Sequence, residues 1–353
     1  MVKTYVDFLI IGQGIAGTHL AAMLVAEGLS ILVVDNGNPN AASRVNLGLM
    51  NPITGRKLKL AWKVEQVFPF AEQWYHALEQ QLQHSLFFPK NLIRFFVDEK
   101  QSRLWEEKKD LPEYRRYIAE PQNWHAYQPY IHAPFGGVEI TGAALVNVNS
   151  VLDAVRRRLR ETGAFLETNF SPEDITLTHD GVIWKTIFAK AVIFCEGFRG
   201  VSNPFFSWIP FSPVKGEAID VEIPELPAEK ILHRGIFIRP LSEQRFRVGS
   251  THLHRDYVEI PTPAGIEQLQ TKLRDFIRKP FHLLGTLAGI RPATRDARPV
   301  LGRHPEHPQL VIFNGLGSKG VSMSPYCARM LTDHLLRNQP IDPELDVRRF
   351  WQK

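Results

Sequence analysis

The chain has 353 residues, enough for two domains or for one domain carrying a large insertion. Apolar residues make up 44% and charged residues 22%, which excludes a disordered or fibrous chain. Lys plus Arg number 42 against 37 for Asp plus Glu, a formal charge of +5 that permits an anionic partner without demanding one, and only Cys195 and Cys327 are present, too few for a disulfide framework or a zinc cluster.

In chain order, residues 8–25 are apolar enough to resemble a secretory or membrane segment. Gly12, Gln13, Gly14, Gly17 and His19 interrupt the run, so no membrane attachment is expected, and the scarcity of cysteine fits a cytoplasmic setting. Residues 6–11, broken only by Asp7, form an apolar stretch of the kind found in a buried parallel strand. Gly12-Gln13-Gly14-Ile15-Ala16-Gly17 follows at once. Residues 18–27 then have helical spacing that stops at Gly28, and residues 30–34 predict a second strand closed by Asp35.

Strand, glycine turn, helix, strand and acid make up a dinucleotide-binding unit. Gly12 permits the tight turn, Gly14 leaves room for a pyrophosphate, and Gly17 lets helix pack on strand. Ile15 and Ala16 lie where the helix opens and its free N–H groups face the phosphates. Asp35, about 20 residues past the turn, is placed to accept from an adenosine ribose hydroxyl. The unit alone does not separate FAD from NAD, and glycines that serve only packing are the alternative.

Residues 151–162 are amphipathic, with Val151, Leu152, Val155 and Leu159 on one face and Arg156, Arg157, Arg158 and Arg160 mostly on the other. They predict a crossover helix capped by Asn149 or Ser150. Basic clusters at Arg56 to Lys63, at Arg115-Arg116 and on this helix read either as a track for RNA phosphates or as solvated faces balanced by Glu106, Glu107, Glu113 and Glu161. Solvated faces are the commoner case. Residues 235–239 and 245–251 predict strands joined by a turn at Ser242-Glu243-Gln244. His304 and His307 are separated by Pro305 and share no helix face, so no metal site is expected.

Residues 289–302 precede an apolar strand over 310–313. Asn314-Gly315-Leu316-Gly317-Ser318-Lys319-Gly320 then feeds a helix predicted over 324–336. A second glycine loop at a helix N-terminus makes a second anion-stabilising site. With the N-terminal fingerprint, these segments resemble, in order and spacing, the D-amino-acid oxidase/glycine oxidase superfamily of FAD enzymes. Residues 189–197, which include Cys195 and Gly197, resemble the family's strand-then-glycine segment beside FAD. Ser43-Arg44-Val45-Asn46-Leu47-Gly48 resembles its early flavin-contacting stretch. The tail from Gly315 is most similar to the oxidase half of the bifunctional tRNA wobble-uridine modification enzyme, whose methyltransferase half has no counterpart here.

The resemblance implies an α/β fold: a glutathione-reductase-like FAD-binding domain (1–85, 140–205 and 285–353) and a smaller α+β substrate domain with an antiparallel sheet (86–139 and 206–284). It implies that Gly315, Leu316, Gly317, Ser318 and Gly320 lie under the flavin pyrimidine edge and that Arg291 pairs with a substrate carboxylate. Lys319 is either a group near the flavin or a solvated loop lysine. Covalent-flavin relatives carry a cysteine near the 289–302 segment; none stands there, so FAD is expected to be non-covalent.

The expected activity is oxidation of an amine beside a carboxylate, with a glycine-like, N-alkylated or D-amino acid preferred as substrate over carboxymethylaminomethyl-uridine in tRNA. An NAD-dependent dehydrogenase leaves the two C-terminal segments unexplained, and a non-catalytic flavin-fold module leaves Arg291 unexplained. Oligomeric state is not legible.

Overall fold

Thr4–Ile11 occupies the middle of an eight-stranded sheet in the computed structural model, which describes residues 2–351. It pairs in parallel with Ile31–Asp35, which in turn pairs with Phe165–Glu167. On its other side lies Ile187–Phe194, parallel to Leu310–Asn314. The antiparallel strands Val182–Trp184, Ile175–Leu177 and Val300–Arg303 complete the sheet. Phe8 and Ile10 pack toward the helices Ile15–Ala26, Val64–Leu82, Val148–Glu161 and Gly320–Arg337. Leu9 and Ile11 pack on the opposite face with Phe194, Phe206 and Ile312. Burial on both faces is why residues 8–11 read as an unbroken apolar run.

Three helices begin earlier than their periodicity suggests. Ile15–Ala26 starts inside the glycine turn, and Val148–Glu161 is capped by Asn147, whose side chain accepts from Ser150 N at 3.3 Å, rather than by Asn149 or Ser150. The C-terminal helix starts at Gly320, not 324, and runs through Pro325. A proline there removes the N–H that the Val321 carbonyl needs. Tyr75 supplies the replacement, donating its hydroxyl to Val321 O at 2.7 Å. Its oxygen is 3.3 Å from His19 Nε2, while Trp74 Nε1 donates to His19 Nδ1 at 2.9 Å, which places the imidazole proton on Nε2. Burial drops the His19 pKa to about 3, so the ring stays neutral. Tyr75→Phe should cost about 1–3 kcal/mol in denaturant unfolding, because it strands a buried carbonyl.

The second sheet also has eight strands. Val214–Glu222 pairs antiparallel with His282–Arg291 on one edge and with Arg245–Gly249 on the other. Phe237–Ser242, Ile231–His233, Leu92–Phe95 and Gly137–Ile140 follow, all antiparallel except for the parallel contact between Ile231–His233 and Leu92–Phe95. One face carries Ile219, Val248, Ile238, Leu232 and Ile93, packed on Leu269, Leu273 and Phe276 of the helix Pro263–Phe276.

The expected domain boundary at 285 falls inside His282–Arg291, a continuous strand of this second sheet, so residues 285–291 belong with the sheet rather than with the segment that follows. Residues 1, 352 and 353 of the expected cofactor domain lie outside the described residues. Among the described residues no helix is long and apolar enough to cross a membrane.

Candidate active site

Between the first sheet and the free face of the second runs a cavity of about 1120 Å³. One end is built on the glycine turn. Gly12 has φ +97°, and a Cβ there would lie 2.5 Å from Cys195 O; at Gly17 it would lie 2.0 Å from Gly12 O. Gly12, Gly14, Ile15 and Ala16 line the cavity, whereas Gly17 does not and acts in packing. The Ile15 N–H donates to Ser43 Oγ at 2.9 Å, and no side chain caps the helix at Gly14.

Asp35 also lines this end. It accepts from Gln13 N at 2.7 Å, from Gly37 N at 2.8 Å and from Arg156 Nη2 at 2.9 Å. Arg156, read from sequence as a solvent-facing residue, therefore turns inward. The helix that carries it packs along the first helix, and the carboxylate draws the guanidinium over the turn. Its neighbour Arg160 pairs outward with Glu167.

Ser43, Arg44, Asn46 and Gly48 form the next wall. Arg44 pairs with Asp153 at 2.6 Å, and Asn46 Oδ1 accepts from Gly48 N at 2.5 Å. Gly48 has φ +63°, and a Cβ there would meet Val146 O at 2.3 Å. Cys195 and Gly197 face them, with Asn314 Nδ2 donating to Gly197 O at 2.9 Å.

Between Cys195 and Gly197 stands Glu196, which sequence reading passed over. Burial raises its pKa to about 7, against the hydrogen bond from Asn203 Nδ2 at 2.7 Å. Between its ordinary value and about 7 the folded state holds a proton that the unfolded chain has released, so stability falls as pH rises through that window. Thermal melting should show this loss between about pH 5 and pH 8, on the order of 1–3 kcal/mol, and Glu196→Gln should abolish it.

Leu316, Gly317, Ser318, Lys319 and Gly320 line the cavity, but Gly315 (φ +76°) lies behind them against Thr294 and serves the turn. The helix Gly320–Arg337 has no side-chain cap, so a second helix N-terminus faces the cavity close to the first: a Cβ at Gly320 would lie 3.1 Å from Ile15 Cγ2. Lys319 is half-buried, and burial together with the nearby Arg298 lowers its pKa.

Arg291 ends its strand and lines the cavity, and the segment after it joins the glycine loop, Gly317 N donating to Pro292 O at 3.2 Å. Its guanidinium lies over Gly216, where a Cβ would come within 2.0 Å of Nη2. It donates to Ser250 Oγ and, at 3.4 Å, to Thr251 O. Burial pulls its pKa down to about 10, and no carboxylate offsets that among the described residues. The group stays charged at neutral pH. His252 lies nearby, its pKa lowered by burial first and by Arg291 second.

Residues 7–334 match the family described as DAO, FAD dependent oxidoreductase. The chain belongs to that family. As a DAO-family chain it is 25% identical over 364 residues to the bifunctional protein ThiO/ThiG of Trichormus variabilis, covering 96% of this chain and 54% of that protein. It thus spans about half the length of that relative. It is 28% identical over 165 residues to the glycine oxidase of Bacillus subtilis, covering 46% of this chain and 41% of that enzyme. Its fold matches the crystal structure of glycine oxidase from Geobacillus kaustophilus with a TM-score of 0.82 at 20% identity, over 99% of this chain and 98% of that one.

Membership settles the choice between FAD and NAD left open by the first βαβ unit. The DAO-family cavity also fits FAD physically: a glycine turn cleared of side chains, an acid at the end of the second strand and two helix N-termini without an N-cap side chain suit a dinucleotide with a diphosphate.

Proposed function

We propose that this chain oxidises the C–N bond of an amine adjacent to a carboxylate, and that Arg291 holds that carboxylate. The observation that carries the reading is a charged guanidinium on the cavity wall with no acidic partner of its own. A buried charge costs free energy unless an opposite charge meets it, and a planar fork suits a carboxylate through two parallel hydrogen bonds. Gly216 gives the fork its seat, while Ser250 and Thr251 fix its plane. Anchoring the carboxylate there would hold the substrate Cα–H inside the cavity that Leu316–Gly320 also line.

Held by the glycine turn, Asp35, Ser43, Asn46 and the Gly317–Gly320 loop, FAD would supply the acceptor for the two electrons and the hydrogen that leave Cα. The helix N-terminus at Gly320 and the Lys319 side chain would stabilise negative charge at that end of the cavity. The glycine oxidase relative supports a glycine-like substrate. Against an RNA substrate, much of the expected basic track is neutralised within the molecule: Arg116 pairs with Glu65, Arg115 with Asp110, Arg160 with Glu167 and Lys63 with Asp342.

FAD attachment is proposed to be non-covalent. Both thiols are buried and burial pushes their pKa values far up, which leaves no thiolate to bond the flavin. The purified protein should be yellow, release intact FAD on denaturation, and bleach anaerobically with glycine or N-methylglycine. Flavin retained by the precipitated chain would defeat the first point, and no bleaching by any such amine the second.

A further inference from the structure

The face of the second sheet turned toward the cavity follows one row across five strands. Ala218 pairs with Gly249, Gly249 with Phe237, Phe237 with His233, and His233 with Arg94. All five line the cavity, which therefore extends well past Arg291. At about 4.8 Å per strand step, the backbone of Arg94 stands roughly 19 Å from that of Ala218. Glycine spans a small part of that floor.

Arg94 closes the row. It is 3% exposed, donates to Ile53 O at 3.0 Å and Gly55 O at 2.8 Å, and leaves its Nε without a partner. Burial lowers its pKa to about 10 with no carboxylate to offset the loss. Two carbonyls satisfy donors but do not neutralise a charge, and a lone buried cation is costly. Arg56 lies in the hairpin that Arg94 pins, formed by the antiparallel pair Ile53–Thr54 and Lys59–Leu60; it also lines the cavity and makes no ion pair among the described residues. Gln101 fixes the hairpin by donating to Arg56 O at 3.0 Å.

We propose that the cavity holds a second anion subsite at Arg94 and Arg56, and that the substrate is an amino acid bearing, on its nitrogen or side chain, an extended arm that ends in an anion. The inference rests on the carboxylate-anchoring role of Arg291 and names the substrate class of that same cavity. Phe237 and the small residues Gly249 and Ala218 form the smooth stretch over which the arm lies, between two cationic ends.

The test uses the FAD-loaded protein and anaerobic flavin bleaching. N-(carboxyalkyl)glycines of increasing arm length are compared with N-alkylglycines of equal length. At the preferred length the carboxylated compound should saturate at a concentration about tenfold lower or more, as a charge-assisted contact predicts. Arg94→Gln keeps donors for the hairpin carbonyls and removes the charge; Arg56→Ala removes an exposed group. Each should drive the carboxylate preference toward unity. Equal saturation by matched compounds at every length, or a preference that survives both substitutions, overturns the subsite while amine oxidation stands. Failure of every amine to bleach the flavin overturns both.

Discussion

Replacing Arg291 with alanine should leave FAD bound and weaken carboxylate substrates or competitive carboxylate inhibitors by roughly 2–5 kcal/mol, the range for truncating one partner of a buried charge pair. The group is worth that much because nothing else in its surroundings meets its charge. Arg291→Lys should recover only part of the loss: an ammonium keeps the charge but not the fork, and Gly216 is cleared for a flat group. Flavin spectra titrated with a carboxylate ligand report binding directly, apart from turnover. Wild-type affinity in the alanine variant would remove Arg291 from the site.

The second large effect is at the glycine turn. Gly12→Ala combines a left-handed backbone (φ +97°) with a Cβ 2.5 Å from Cys195 O, and the opposing atom belongs to the backbone immediately after the central strand Ile187–Phe194. Neither can give way cheaply, because Cys195 N donates to Ile11 O at 2.7 Å and holds the two strand ends together. The variant should lose several kcal/mol of stability and purify largely without flavin. Gly28→Ala is the matched control: its φ is +79° but nothing lies within 4 Å, so only the backbone cost of about 1 kcal/mol applies. Flavin content and thermal melting of the pair separate steric clash from strain.

The dinucleotide unit was legible because its signals are local: one apolar run, three glycines and an acid within a single βαβ unit. The segment around Arg291 singled that residue out, and the structure places it on the cavity lining. What sequence reading missed is what depends on distant partners. Arg156 lies on the polar side of its helix by periodicity, and only the fold brings Asp35 within 2.9 Å. Arg94 sits in a short strand, Leu92–Phe95, whose four residues are all buried, so no alternation marks it as facing a cavity. The C-terminal helix was expected to start four residues late because Pro325 reads as a boundary, and the hydroxyl that lifts that restriction belongs to Tyr75. Gly17 packs helix on strand as its place in the turn suggests, whereas Gly315, expected under the flavin, spends its missing side chain on a close approach to Thr294.

The parallel pairing of Ile187–Phe194 with both Thr4–Ile11 and Leu310–Asn314 governs when the cavity can exist during synthesis. Its walls come from residues as far apart as Gly12 and Met323. A nascent chain that has exposed only its first βαβ unit holds one wall, with the apolar edge of Thr4–Ile11 open to water. Long-range parallel pairing is slow, and an unpaired edge of this kind invites aggregation. Flavin capture therefore waits until the residues through Met323 have left the ribosome.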